Sequence, residues 1–188
     1  PISFSPLMPL MVTGFIRGLK TSKSFNTATL DCNNKFVASH HMYGAAMALT
    51  FPDVDRTQCL IVIGGNPAIS KMSFIHLPHP VDRLKAIEER GGKLVFINPR
   101  RTESAKVCGE QLFIRPDTDV YFLLSFLHEV LARQAYKREI IEPHMDGFSS
   151  LQNVAQHWPA DKTAEVTGIS ADALRELVTA YLAADGAA

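Results

Sequence analysis

Two short turns in this sequence carry groups suited to binding a phosphorylated nucleotide. Residues 64–68 read Gly-Gly-Asn-Pro-Ala; the glycines let the backbone approach a ligand closely, and Asn66 offers both a donor and an acceptor. Residues 98–102 read Asn-Pro-Arg-Arg-Thr, which sets an amide and a hydroxyl beside two guanidinium groups that match phosphate geometry. Because such residues also serve simply to turn the chain, neither turn is specific by itself.

Each turn follows a short apolar run that is typical of a strand buried on both faces. The runs cover residues 59–63 and 93–97, and a helical pattern at 81–90 between them stops at Gly91-Gly92. Strand, helix and strand of these lengths predict a right-handed βαβ unit with parallel strands. The two turns then lie at the same edge of the sheet, where doubly wound folds bind nucleotides.

The other patterns are mostly helical. We expect a helical turn near 103–107, a third strand at 112–115 and an apolar helix at 118–134. Further helices are predicted at 9–20, 34–48, 149–156, 161–167 and 170–184. The sequence therefore predicts an α/β fold with a small parallel Rossmann-like sheet flanked by helices and with helical N- and C-terminal extensions. Its segments are a mostly helical part at 1–58, the α/β core at 59–146 and a helical extension at 147–188.

Composition excludes several classes of protein. The 188 residues are 46% hydrophobic and 20% charged, with 19 basic and 19 acidic side chains, which is globular and gives no sign of a nucleic-acid partner. Residues 1–116 hold six more basic than acidic side chains and residues 117–188 six fewer, so an anionic ligand would favour the first part. No apolar run is long enough to predict a membrane span. Three scattered cysteines indicate a reducing compartment, and we expect a cytoplasmic protein.

Common nucleotide motifs are missing. The chain has no Gly-x-Gly-x-x-Gly and no Gly-x-x-x-x-Gly-Lys-Ser/Thr, which disfavours hydride transfer from NAD and ATP hydrolysis.

Four blocks in order carry a resemblance to a known family. They are Gly-Gly-Asn-Pro-Ala at 64–68, the helix and strand at 83–95, Ile-Asn-Pro-Arg-Arg-Thr-Glu-Ser-Ala at 97–105 and Ile-Arg-Pro-Asp-Thr-Asp at 114–119. Together they resemble the central part of the molybdopterin oxidoreductases, the family of formate dehydrogenases, nitrate reductases and dimethyl sulfoxide reductases. The resemblance continues through 147–151 and 164–177 and covers most of residues 25–184.

The resemblance implies binding of one arm of a molybdopterin guanine dinucleotide, whose dithiolene sulfurs hold molybdenum or tungsten. By position, the first turn would approach the nucleotide, the second its phosphates or sugar, and an aspartate would lie at the pocket rim. The residues concerned are Gly64, Gly65, Asn66, Pro67, Asn98, Arg100, Thr102 and Asp119. The parent enzyme would carry out two-electron redox chemistry on a small substrate, by oxygen-atom transfer or hydride-like removal.

Two positions depart from the family pattern. Asn98 replaces the usual aspartate, so a carboxylate expected to take sugar or guanine donors becomes an amide, and we expect weaker binding. Asp117 stands where the family often has glycine, which adds a negative charge near the expected anion and predicts a different turn.

The segment at residues 25–41 contains several candidates for the metal ligand. Residues 25–41 resemble the stretch that holds the family's Cys, selenocysteine or Ser ligand, but an ungapped match places Val37 there, and valine cannot coordinate. Cys32, Ser39 and His40 are nearby alternatives that require a gap. Cys32 as a small buried residue and Ser39 as a helix surface residue are equally good interpretations.

The remaining histidines give weaker signals. The spacing His76-x-x-His79 could suit a metal on a helix, but flanking prolines favour a loop. We interpret His128, on the apolar helix, as a hydrogen-bonded core or boundary residue.

These 188 residues contain neither the family's iron–sulfur segment nor its domain for the second pterin arm. We therefore interpret the chain as a fragment, inactive alone, of an oxidoreductase whose iron–sulfur cluster lies outside it. Its expected partners are the remaining domains of that enzyme, a small-molecule substrate and an electron-transfer partner. The alternative is a non-catalytic nucleotide-binding or interaction module that kept the scaffold.

Overall fold

A computed structural model describes residues 7–25, 30, 32–46, 48, 50–71 and 77–188. The chain forms two compact units, Pro1–Thr50 and Phe51–Ala188. The first contains helices α1 (Leu7–Gly18) and α2 (Asn33–Tyr43). Helix α2 ends five residues before the predicted 48 because Gly44 adopts a left-handed conformation, φ 75°, and caps it.

The second unit is built on a three-stranded parallel sheet, which confirms the predicted small parallel sheet, and its strand order is β1-β2-β3. The strands are β1 (Cys59–Ile63), β2 (Lys93–Asn98) and β3 (Glu110–Phe113), and β3 starts two residues earlier than expected. In the register, Ile63 lies beside Ile97, which sets the carboxyl ends of β1 and β2 next to each other.

Helices flank this sheet, with a 3₁₀ turn at Ser104–Lys106 before β3. They are α3 (Pro67–Ser70), α4 (Pro80–Glu89), α5 (Asp119–Ala132), α6 (Arg138–His144), α7 (Phe148–Ala155), α8 (Ala160–Thr167) and α9 (Ala171–Ala183). The sequence patterns predicted neither the single turn α3 nor α6, which contains Pro143. No helix in the described residues is long and apolar enough to cross a bilayer.

Alternate strand residues build a core on each face of the sheet. On one face, Leu60 and Phe96 pack with Leu84 and Ile87 of α4. On the other, strand residues pack with α5 and α9; this second cluster includes Val95, Ile97, Phe122, Leu174 and Leu177. Burial on both faces explains the unbroken apolar runs of β1 and β2.

Polar contacts fix the last helices to the core. Glu129 of α5, buried, pairs with Arg175 of α9 at 3.1 Å and with Arg133 at 3.4 Å, and Arg175 also binds Asp161 of α8. The Arg115 guanidinium donates to carbonyl oxygens at the end of α8. On the same unit, His128 Nδ1 lies 3.1 Å from the Ala155 carbonyl oxygen, which confirms its interpretation as a hydrogen-bonded boundary residue.

The outer edge of β1 is covered by residues 186–188. The Ile61 N–H donates to the Ala188 carbonyl and the Ala188 N–H to the Cys59 carbonyl, both at 2.9 Å. The Thr57 hydroxyl donates to the Gly186 carbonyl at 3.0 Å, and a parallel bridge joins Cys59 to Ala187. This pairing was not expected from the sequence, which shows no strand pattern after residue 147.

Candidate functional site

The two predicted turns meet at the carboxyl edge of the sheet. The Gly64 N–H donates to the Ile97 carbonyl at 2.9 Å, which continues the β1–β2 ladder into the first turn. The Asn98 side-chain amide, at the end of β2, donates to the Gly65 carbonyl at 3.2 Å. Asn98 is only 5% exposed. Its hydrogen bond to Gly65 holds the first turn against the second.

Asn66 is the main link between the turns. Its Oδ1 accepts from the Ser104 hydroxyl at 2.8 Å and from the Ser104 N–H at 3.2 Å. Ser104 is fully buried, and its hydroxyl oxygen accepts from the Ala68 N–H at 2.9 Å. These bonds fix the orientation of the Asn66 amide, with its nitrogen turned toward Glu103.

A carboxylate and a guanidinium group complete this cluster. Glu103 Oε2 accepts from Asn66 Nδ2 at 2.6 Å and from Arg100 Nη2 at 3.2 Å. The hydrogen bond from Arg100, one from the backbone of Glu103 and that from Asn66 lower the pKa of the Glu103 carboxyl from 4.5 to about 2. The group is therefore ionised at neutral pH and can only accept hydrogen bonds.

The first turn also offers backbone donors. The N–H groups of Gly65 and Asn66 donate to no acceptor among the described residues. Gly64 has φ 68°, and a Cβ at Gly65 would lie 2.8 Å from Val62 Cγ1, so the turn requires glycine at both positions. Pro67 is buried as the first residue of α3. The glycines thus bring to the sheet edge two donors that have no acceptor in the described part of the chain.

Two predicted residues contribute differently. Thr102 is 3% exposed, and its hydroxyl oxygen accepts from the Ala105 N–H at 3.3 Å, so it shapes the second turn. Asp119 is the first residue of α5, and within the described chain no hydrogen bond or ion pair joins it to the Asn66 cluster.

The turn at Asp117 has a backbone conformation that glycine favours. Asp117 has φ 65°, in the left-handed region where a side chain is strained. The aspartate therefore places a negative charge in this turn and adds backbone strain.

The structure does not assemble a metal site from the described residues. No group of three or more His, Cys, Asp or Glu side chains in the described ranges is placed to hold an ion. Cys32 is buried before α2, and Val37 is exposed. The interpretation of Ser39 as a surface residue is wrong: Ser39 is 7% exposed because its hydroxyl donates to the Ala45 and Ala48 carbonyls at 2.9 and 2.8 Å.

The histidine pair falls partly outside the described residues. His76 lies outside them, and His79 precedes α4 with φ 47°.

Sequence reasoning overlooked Glu103 and Ser104. Both lie in the block 97–105, but no local pattern shows that they contact Asn66, 37 and 38 residues earlier. Their contribution depends on the pairing of β1 with β2.

Comparison with known proteins gives consistent matches. Acetylene hydratase of Syntrophotalea acetylenica is 29% identical over 161 residues, which cover 85% of this chain and 21% of that protein. The F420-dependent formate dehydrogenase alpha subunit of Methanocaldococcus jannaschii is 23% identical over 164 residues, covering 87% and 24%. The solved structure of acetylene hydratase from Pelobacter acetylenicus matches with a TM-score of 0.72 at 26% identity, over 87% of this chain and 22% of that one. These homologues are molybdopterin oxidoreductase family members, which confirms the resemblance found in the sequence.

The chain matches only part of the length of each molybdopterin oxidoreductase. The chain spans about a fifth of the length of these relatives, and no family model matches it. The matched part is 85–87% of this chain.

Proposed function

We propose that this chain is the part of a molybdopterin-dependent enzyme that binds one guanine dinucleotide arm of a molybdenum or tungsten cofactor. The observation that carries the proposal is the joined pair of turns, in which Asn66 bonds to Ser104 and Glu103 at the carboxyl edge of a parallel sheet. Ligands of open α/β sheets bind at this edge. Similarity to molybdopterin oxidoreductases supports the same ligand.

The groups at this edge suit a nucleoside diphosphate. The N–H groups of Gly65 and Asn66, which have no acceptor among the described residues, are donors for phosphate oxygens. Arg100 and Arg101, both exposed, supply positive charge. Asn98 and Thr102 hold the turns in place through their internal hydrogen bonds, and Pro67 starts α3. Asp119 stays our proposed rim residue.

The nucleotide and the metal fit this chain differently. The donors of the two turns fit a dinucleotide arm, whereas the described residues offer no assembled metal ligands. When bound, the metal would exchange electron pairs with a small substrate. We therefore place the iron–sulfur cluster, electron partner and most substrate contacts in other parts of the parent enzyme, and we expect this chain to be inactive alone. Its free cysteines support a cytoplasmic location.

Hydration is a second candidate for the parent reaction. The relative with 29% identity and the matched solved structure are both acetylene hydratases, and their name describes addition of water. An oxidoreductase would reduce or oxidise an artificial electron carrier in the presence of substrate, whereas a hydratase would not. The third candidate is a module without catalytic activity that kept the nucleotide scaffold.

Binding of GDP by the purified chain tests the proposed site. We expect weak, salt-sensitive binding, measured by isothermal titration calorimetry and reduced about tenfold by Arg100→Ala, because a charge-assisted hydrogen bond is lost. The matched control is Arg56→Ala, which removes another exposed arginine paired with an aspartate three residues away. Absence of GDP binding, or equal losses in both variants, would overturn the proposed site.

Cofactor content tests the parent enzyme. A full-length protein containing this chain, expressed in a host that makes the cofactor, is expected to contain pterin and molybdenum or tungsten by mass spectrometry. If it contains none, the module without catalytic activity becomes the better interpretation.

A further inference from the structure

We propose that Glu103 recognises the nucleoside of the bound arm. It would take the role of the aspartate that the family has at the position of Asn98. Its carboxylate would accept paired hydrogen bonds, either from the guanine N1–H and 2-amino group or from the ribose hydroxyls. This inference rests on the proposed function, because it requires a nucleotide at the joined turns.

Asn98 is committed to another contact. Its side-chain nitrogen donates to the Gly65 carbonyl at 3.2 Å, and its backbone carbonyl accepts from the Ile114 N–H at 3.3 Å. With only 5% of the residue exposed, this side chain offers little surface to a ligand. An amide also lacks the second acceptor oxygen that a carboxylate uses for paired donors.

Glu103 offers what Asn98 lacks. Its side chain is 44% exposed, and Oε2 accepts two hydrogen bonds, from Asn66 at 2.6 Å and from Arg100 at 3.2 Å. Its other oxygen, Oε1, has only a 3.5 Å contact with Arg100 Nη1 from a side chain. Since a carboxylate oxygen has two acceptor sites, Oε1 retains capacity for a ligand donor.

The residues around Glu103 fix the position of its carboxylate before a ligand binds. Asn66 is itself fixed by Ser104, so the carboxylate is positioned by a buried contact rather than by solvent-exposed groups alone. Its lowered pKa, about 2, keeps it an acceptor throughout the physiological pH range. Because a carboxylate repels phosphate, Glu103 suits the nucleoside, while Arg100, Arg101 and the backbone N–H groups of the first turn suit the diphosphate.

The experiment compares three nucleotides on the purified 188-residue chain. GDP carries both sets of donors, IDP lacks the 2-amino group and 2′-deoxy-GDP lacks one ribose hydroxyl. Calorimetry would measure each dissociation constant for the wild type, Glu103→Gln and the control Glu89→Gln, which lies exposed at the end of α4. In Glu103→Gln, the new amide oxygen can still accept from Asn66, so the turn is expected to keep its fold.

We expect Glu103→Gln to weaken GDP binding about tenfold, as for loss of a charged acceptor. The wild type should prefer GDP to the analogue that lacks the recognised donor, and the variant should lose that preference. A preference over IDP assigns the contact to guanine, and one over 2′-deoxy-GDP assigns it to ribose. Glu89→Gln should match the wild type.

Three results would overturn the inference. If Glu103→Gln keeps the same preference among the nucleotides, Glu103 does not read the nucleoside, even if the affinity rises because Arg100 is released. If Arg100→Ala weakens GDP binding and Glu103→Gln does not, the proposed site stands and the role of Glu103 fails. If the wild type binds no GDP, both fail. Thermal unfolding of each variant verifies that binding losses do not come from unfolding.

Discussion

The side-chain oxygen of Asn66 accepts hydrogen bonds from both the hydroxyl and the N–H of Ser104, at 2.8 and 3.2 Å. The two residues are 38 positions apart and belong to turns that follow different strands. One asparagine and one buried serine therefore join the turns into a single unit. Changes at either residue should affect the whole candidate site.

The Ser104 hydroxyl is expected to contribute strongly to stability. Ser104→Ala removes its bond to Asn66 and leaves the Ala68 N–H without its acceptor, so we expect a loss of about 1–3 kcal/mol in the free energy of unfolding. Urea denaturation of the wild type and the variant would measure this loss. The control, Ser70→Ala, removes an exposed hydroxyl that donates to the Asn66 carbonyl at 3.2 Å and should cost less than about 0.5 kcal/mol. Equal effects would contradict a special role for Ser104.

Acid should remove the stabilisation that Glu103 provides. The pKa of this carboxyl is about 2 in the folded protein, below its usual 4.5, so the ionised form favours folding. The contribution is complete above about pH 4.5 and disappears as the pH falls toward 2. We expect the difference in unfolding free energy between wild type and Glu103→Gln to shrink over this range, and to be smaller in high salt because the group is exposed. A difference that does not change with pH would contradict this prediction.

Restoring the family's aspartate at position 98 should destabilise this protein. In Asn98→Asp the amide donor to the Gly65 carbonyl is replaced by a carboxylate oxygen, which faces another acceptor in a buried position. We expect a loss of about 1–3 kcal/mol at neutral pH by urea denaturation. The exposed control Asn153→Asp should stay within about 0.5 kcal/mol of the wild type. A neutral Asn98→Asp would show that this turn readily rearranges.

A glycine at position 117 should stabilise the chain. Asp117 has φ 65°, and Asp117→Gly relieves a strained left-handed conformation, partly offset by greater freedom of the unfolded chain. We expect a gain of up to about 1 kcal/mol, seen as a higher midpoint of thermal unfolding. In contrast, Asp172→Gly, in the first turn of α9, should lower stability. A loss of stability in Asp117→Gly would mean that the aspartate makes a compensating contact.

The central βαβ unit could be predicted because its signals are local. Both faces of β1 and β2 are buried, so each strand is an apolar run, and glycine or proline marks where it ends. Strand β3 is an edge strand with exposed residues at both ends. Its hydrophobic pattern is weak, so its start was predicted two residues too late. Helix α6 was missed because Pro143 argues against a helix.

The candidate site could be predicted only in part, for a related reason. Glycine, asparagine and arginine in a turn indicate ligand binding by their residue types. Whether a side chain faces a ligand or the protein depends on contacts made by distant parts of the chain. The side chains of Thr102 and Asn98 contact the protein interior, whereas that of Glu103 is partly exposed. The carbonyl groups that accept from Ser39 belong to residues that follow its helix.

The pairing of residues 186–188 with β1 sets an order of events during synthesis. Gln58 and Thr57 reach partners 127 and 129 residues later, after helices α5 to α9 have been made. Until those residues leave the ribosome, β1 presents an open edge of the kind that lets neighbouring chains associate. The edge of β1 is therefore completed only after α5 to α9 have been synthesised, although β1 is the first of the described strands to leave the ribosome.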